Sequence, residues 1–175
     1  MGTNPSNFTD DPQRPVENVS WEDCQEFIAR LNALTGNNFR LPTEAEWEFA
    51  AQGGNMGSDT FYAGSDDINP VAWYYSNSYV LGSDNPDYGT HAVATKEANE
   101  LGLFDMTGNV FEWCSDWYGA YNSEPQTDPA GPEVGTERVI RGGSWISIRR
   151  DSRNTSRDSE APEYRSFNVG LRLAL

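Results

Sequence analysis

Helical periodicity is confined to the first 54 residues, and any fold for this chain has to be built around that limit. In NVSWEDCQEFIARLNALTG, Ser20 is a good N-cap with Asp23 three residues on, and Trp21, Cys24, Phe27, Ile28, Leu31 and Leu34 recur at three-to-four spacing. This predicts an amphipathic helix that Gly36 ends. A second helix is predicted in RLPTEAEWEFAAQGG, where Thr43 and Glu46 form a capping box, Trp47, Phe49, Ala50 and Ala51 give the apolar side, and Gly53 and Gly54 break the helix. Beyond that point short apolar runs alternate with Gly, Asn, Asp, Pro and Ser. Strands are predicted at 71–75, 91–95, 138–142 and 170–175, each short and bounded by turn residues. Loops this long are uncommon in a compact domain unless they carry function or bind an ion.

The chain, 175 residues with 13% aromatic content, can bury a core without help from disulfides. No apolar stretch reaches the roughly 18 residues of a membrane helix, so membrane insertion is not expected. The first residues have neither a basic region nor an apolar core, so no export signal is read there. Residues 1–137 carry 4 Lys/Arg against 23 Asp/Glu, whereas residues 138–175 carry 8 Arg against 4 acids. Nucleic acid is not expected as a partner, because the acidic body repels phosphate. Arg141, Arg153, Arg157, Arg165 and Arg172 either pair internally with that body or present a patch to a ligand. Cys24 and Cys114 are two buried thiols or one disulfide, and with the single His91 they are too few for a zinc site. Only His91 could act as general base for a serine nucleophile, and no nucleophile-elbow sequence surrounds any serine.

The stretches RPVENVSWEDCQEFIARLN, FRLPTEAEWEFAAQGG, NELGLFDMTGNVFEWCSDWY, RVIRGGSW and NVGLRLAL, in this order, resemble the formylglycine-generating enzyme (sulfatase-modifying factor) family. The resemblance implies an α+β, C-type lectin-like fold of that type, loop-rich, with two helices and short antiparallel strands. It runs over residues 1–175 as one domain that lacks the family's N-terminal strands. Relatives of this type are often exported lipoproteins, so a cell-surface or exported location would be inherited from residues upstream.

In the enzymes of the family two cysteines after the GGS element bind copper(I) and activate oxygen. The matching positions here are Ser147 and Ser152. Copper(I) is a soft ion selected by thiolates, and a serine hydroxyl is hard and protonated, so neither copper nor a catalytic residue is expected. The segment also resembles the target proteins of diversity-generating retroelements, in which a fixed scaffold flanks a rewritten C-terminal stretch. The expectation is a non-catalytic binding protein that uses residues 141–168 to hold a protein or peptide ligand. Contacts are expected among Trp145, Ile146, Ile148, Arg149, Asn154, Ser156, Asp158, Tyr164 and Phe167. The alternative is a formylglycine-generating or other oxidoreductase-type enzyme with altered chemistry. The resemblance also implies a structural calcium ion held by the side chains of Asp105 and Glu112 and the carbonyls of Gly108 and Val110, against the reading that Asp105 caps a turn and Glu112 pairs an arginine.

Overall fold

The computed structural model describes residues 2–175. Both predicted helices form: α1 spans Trp21–Thr35 and α2 spans Glu44–Ala51, each opened by a reciprocal capping box, Ser20 with Asp23 and Thr43 with Glu46. Gly36 closes α1 in the left-handed conformation (φ 72°), where a side chain would be strained. A single further turn, α3 (Ile68–Val71), follows. Four strands complete the fold, β1 (Phe111–Trp117), β2 (Arg138–Arg141), β3 (Arg157–Glu160) and β4 (Val169–Leu171), in the sheet order β3-β2-β1-β4.

The sheet is a wall with a helix on each face. Neighbouring residues of a strand point to opposite faces. Accordingly Trp113, Ile140 and Val169 pack with Cys24 and Ile28 of α1, while Cys114 and Val139 pack with Trp47 and Ala51 of α2. Tyr62, Ile68, Val71, Ala72 and Tyr74 form a third buried cluster beneath the long loops. Among the described residues no helix is long and apolar enough to cross a membrane.

The strand expectations need correction. Residues 138–142 do form a strand, β2, and 170–175 contribute to β4, which runs parallel to β1 rather than antiparallel. Residues 71–75 instead end α3 and enter a 3-10 turn, because Asn77 accepts from the amide of Tyr74 and donates to the carbonyl of Ala72. Residues 91–95 are a turn in which Ala94 has a positive φ and donates its amide to Asp105. The central strand β1 was missed because both its faces are covered, so its apolar residues do not alternate. The edge strand β3 (RDSE) is polar throughout and carries no apolar signal.

Several carboxyls titrate away from their ordinary range. Arg165 beside Asp23 holds that acid down at about 2, and Arg40 does the same for Glu46. Their contribution to stability is present above the ordinary carboxylate range and is lost as pH falls toward 2. Glu17 has the opposite sign. It is fully buried, its Oε1 accepts from the amide of Phe8, its Oε2 has no hydrogen-bond partner, and burial pushes its pKa up. Its charge therefore weakens the fold as pH rises through its raised pKa. Glu17→Gln is expected to raise the melting temperature at neutral pH and to leave it unchanged below the ordinary glutamate range, measured by thermal melts across pH.

Candidate functional site

The C-terminal excursion leaves the sheet at the end of β2 and returns in β3. Gly142 and Gly143 launch it with φ of 92° and 72°, and a Cβ on Gly143 would lie 2.5 Å from the hydroxyl of Ser152. Arg141 is fully buried and ties the excursion down from within. Its guanidinium donates to the carbonyls of Ser156 (2.6 Å) and Asn154 (2.8 Å) and to the carboxylate of Glu48, and it lies 3.6 Å from Glu44. Arg157 forks onto Glu44 at 2.8 and 2.5 Å and reaches the carbonyl of Gly119. Arg165 forks onto Asp23, and Arg172 onto Glu112. Four of the five arginines therefore serve internal pairing. Arg153 does not: it lies 5.0 Å over the ring of Phe61.

Two of the expected contact residues are buried. Trp145 is 1% exposed because it is the centre of an aromatic cluster, with the rings of Phe8, Tyr79, Tyr88 and Phe167 at 5.4, 5.7, 4.9 and 5.6 Å. Asn154 is buried and donates to the carbonyls of Thr60 and Phe61 through its side chain and its amide. Ile146 and Ser156 are half-buried, and the Ser156 hydroxyl donates to the carbonyl of Arg150. Ile148, Arg149, Asp158, Tyr164 and Phe167 are exposed. Ile148 and Arg149 open a 3-10 turn at Arg149–Ser152, whereas Asp158 belongs to β3 opposite Ile140 and Tyr164 to the turn after it.

Residues outside the excursion complete the face. The amide of Tyr75 donates to the carbonyl of Ser147, which brings the 74–79 loop alongside, and Tyr75, Tyr79 and Tyr88 extend the rings around Trp145. Phe61 lies exposed beside Arg153. The run YYSNSY, aromatic in a segment with no helical period, was the available signal for these positions. Asn109 went unnoticed too. It is buried, its side chain pairs with both backbone groups of His91, and its carbonyl accepts from the amide of Trp145.

The two positions expected to match the family's copper-binding cysteines hold hydroxyls. The Ser147 Oγ accepts from the amide of Ser144 at 2.9 Å, and the Ser152 Oγ lies 3.4 Å from the carbonyl of Ile148, both in buried residues. Cys24 and Cys114 are free, buried in different core clusters on opposite faces of the sheet, and burial pushes both thiols up, Cys24 to about 12. The residues present do not fit copper(I), which needs thiolates. His91 is stacked 3.7 Å from Trp73 and held against Ser78, and burial lowers it to about 4, which suits a packed imidazole.

In the DMTGNVFE segment Asp105 has φ 57°, its Oδ2 accepts from the amide of Ala94, and its buried Oδ1 has no donor. Burial raises its pKa, with the charge of Glu112 adding to the effect. Glu112 accepts from the indole of Trp47 at 2.7 Å and from Arg172. Among the described residues no three His, Cys, Asp or Glu converge as a metal set, so a calcium ion here would meet at most two carboxylates and would depend on backbone carbonyls for further oxygens. The free oxygen of Asp105 fits such an ion, and Glu112 is shared with the guanidinium.

A four-stranded sheet between two helices, with a long excursion between β2 and β3 tied down by Arg141, defines a C-type lectin-like domain. The sulfatase-modifying factor enzyme 1-like domain matches residues 2–175, and the chain belongs to that family. It is 37% identical over 180 residues to the formylglycine-generating enzyme of Streptomyces coelicolor, covering 97% of this chain and 55% of that protein. The chain thus spans about half the length of that relative. Among solved structures, Treponema denticola variable protein 1 superposes with a TM-score of 0.86 and 33% identity, covering 99% of this chain and 77% of that one. The Major Tropism Determinant U1 variant, at 14% identity and a TM-score of 0.53, shares the fold, with coverage of 99% and 40%.

The division between buried hub and exposed face is testable. Trp145→Ala is expected to cost about 3–5 kcal/mol. Phe167→Ala, at an exposed ring, is expected to cost less than about 1 kcal/mol. Urea denaturation checks both, and equal costs would contradict the division.

Proposed function

We propose that the protein is a non-catalytic binding scaffold that presents the 141–168 excursion and the adjoining aromatic loop to a protein or peptide ligand. The observation that carries this reading is the replacement of both copper positions by Ser147 and Ser152, whose hydroxyls are spent inside their own loop. The likeness to Treponema denticola variable protein 1 supports a further element, that the exposed positions differ between copies while the anchors stay fixed. On this reading Ile148, Arg149, Arg153 and Phe167 vary among related copies, and Arg141, Gly143, Trp145 and Arg157 do not. Nucleic acid is disfavoured by the net charge of −15. The test is copper(I) titration of the reduced protein with oxygen consumption followed in the presence of a sulfatase-derived cysteine peptide. Neither stoichiometric binding nor turnover is expected, and a one-to-one complex that consumes oxygen would overturn the reading.

Calcium belongs to the same proposal as a structural ion. Asp105 and Glu112 would hold it by side chain and Gly108 and Val110 by carbonyl, and it would supply a positive charge that satisfies the free oxygen of Asp105. Added calcium is expected to raise the melting temperature of chelator-treated protein, and Asp105→Ala is expected to abolish that response. A wild-type melting curve indifferent to calcium contradicts the ion.

A further inference from the structure

We propose that Arg149 and Arg153, at the two ends of one exposed 3-10 turn, recognise the carboxylates of an acidic peptide segment whose apolar side chains rest on Ile148 and the neighbouring rings. The inference rests on the binding reading above and assigns the chemistry of the ligand.

Charge pairing singles these two residues out. The chain has 12 Lys and Arg, and among the described residues eight of them form an ion pair with a carboxylate. Four do not: Lys96, Arg138, Arg149 and Arg153. The first two are committed to the fold. Lys96 donates to the carbonyl of Asn69 and covers Trp73, and Arg138 donates to the carbonyl of Ser115 while held between Trp21 and Trp117 at 3.9 and 3.5 Å.

Arg149 and Arg153 are exposed, in a chain where acids outnumber bases by 27 to 12. Arg149 lies 5.7 Å over the ring of Tyr74 and donates once to its hydroxyl. Arg153 lies over Phe61, and among the described residues no acceptor engages its guanidinium. Among the described residues neither arginine takes a carboxylate of its own neighbourhood in sequence or contact. Asp151 takes Arg150, and Asp66 accepts from the amide of Phe61.

A guanidinium laid on an aromatic ring keeps its planar fork of donors oriented outward, which lowers the entropy lost when a carboxylate docks. Exposed Ile148 stands at the start of the same turn, so an acidic residue beside an apolar one would satisfy both surfaces. The charge of the body decides the class of anion. Repulsion is screened beyond about 8 Å at physiological salt, so a short peptide with one or two acids meets mainly the local arginines. A polyanion meets the acidic body along its whole length.

The experiment pans a displayed library of random linear peptides against the folded protein and measures the selected peptides, made synthetically, by fluorescence polarisation. The expected winners pair Asp or Glu with an apolar residue and bind more weakly as salt is raised. Arg149→Gln with Arg153→Gln together weaken them about tenfold, and Arg150→Gln, whose charge is already paired, by less than about twofold. Circular dichroism confirms that each variant is folded. Peptides that lose binding in Ile148→Asp but lack acids and ignore the double variant overturn the acidic specificity while the binding face stands. Selected peptides indifferent to every variant of the turn, or no selected peptide at all, overturn the assignment of an acidic peptide to this turn, while the binding reading keeps its own test. Tighter binding of a single-stranded oligonucleotide to the same turn overturns the peptide assignment.

Discussion

The guanidinium of Arg141 is fully buried at the end of β2, where it joins two things the sequence keeps far apart. On one side it meets Glu44 and Glu48 of α2, and on the other the carbonyls of Asn154 and Ser156 at the far end of the excursion. A buried ion pair of this kind adds little net stability over an apolar replacement, but losing one partner strands the other charge in the interior. Its contribution is therefore to position. The planar fork satisfies loop carbonyls that would otherwise be buried without a donor, which a lysine could not do with the same geometry.

That anchor explains how a domain with a four-stranded sheet can hold so much irregular chain. Trp145 fills the space between the excursion and the 74–88 loop, and Asn109 fixes the backbone at His91 and Trp145 together. Arg157, Arg165 and Arg172 repeat the arrangement at other points, each forking onto an acid of a helix or of β1. The acidic character of the body thus has a structural use, since it supplies the partners that hold the arginine-rich segment in place. Ile148, Arg149, Arg153 and Phe167 stay exposed on that segment and take no part in its ion pairs, and this is why the functional reading falls on them.

The helices were legible in the sequence because capping and periodicity are local: Ser20 with Asp23 and Thr43 with Glu46 need no tertiary information. The strands were less so. β1 is covered on both faces, with Trp113 and Cys114 in different clusters, so its pattern was not that of a half-buried strand. For the site, sequence could delimit the excursion but could not tell a hub from a contact. Trp145 and Asn154 are buried by partners such as Phe8, Tyr88 and Thr60, far away in the chain. The same limit hid Phe61 and Tyr79, which reach the face through hydrogen bonds that join the 61 and 75 backbones to the excursion and through the rings that follow them.

Hydrogen–deuterium exchange of the wild-type protein and Arg141→Met tests most directly whether this buried guanidinium holds the excursion in place. The account predicts that amides between residues 144 and 156 exchange as an open loop in the variant while β1 and β2 remain protected. If the excursion stays as protected in folded Arg141→Met as in the wild type, the anchor lies elsewhere and the central claim is wrong.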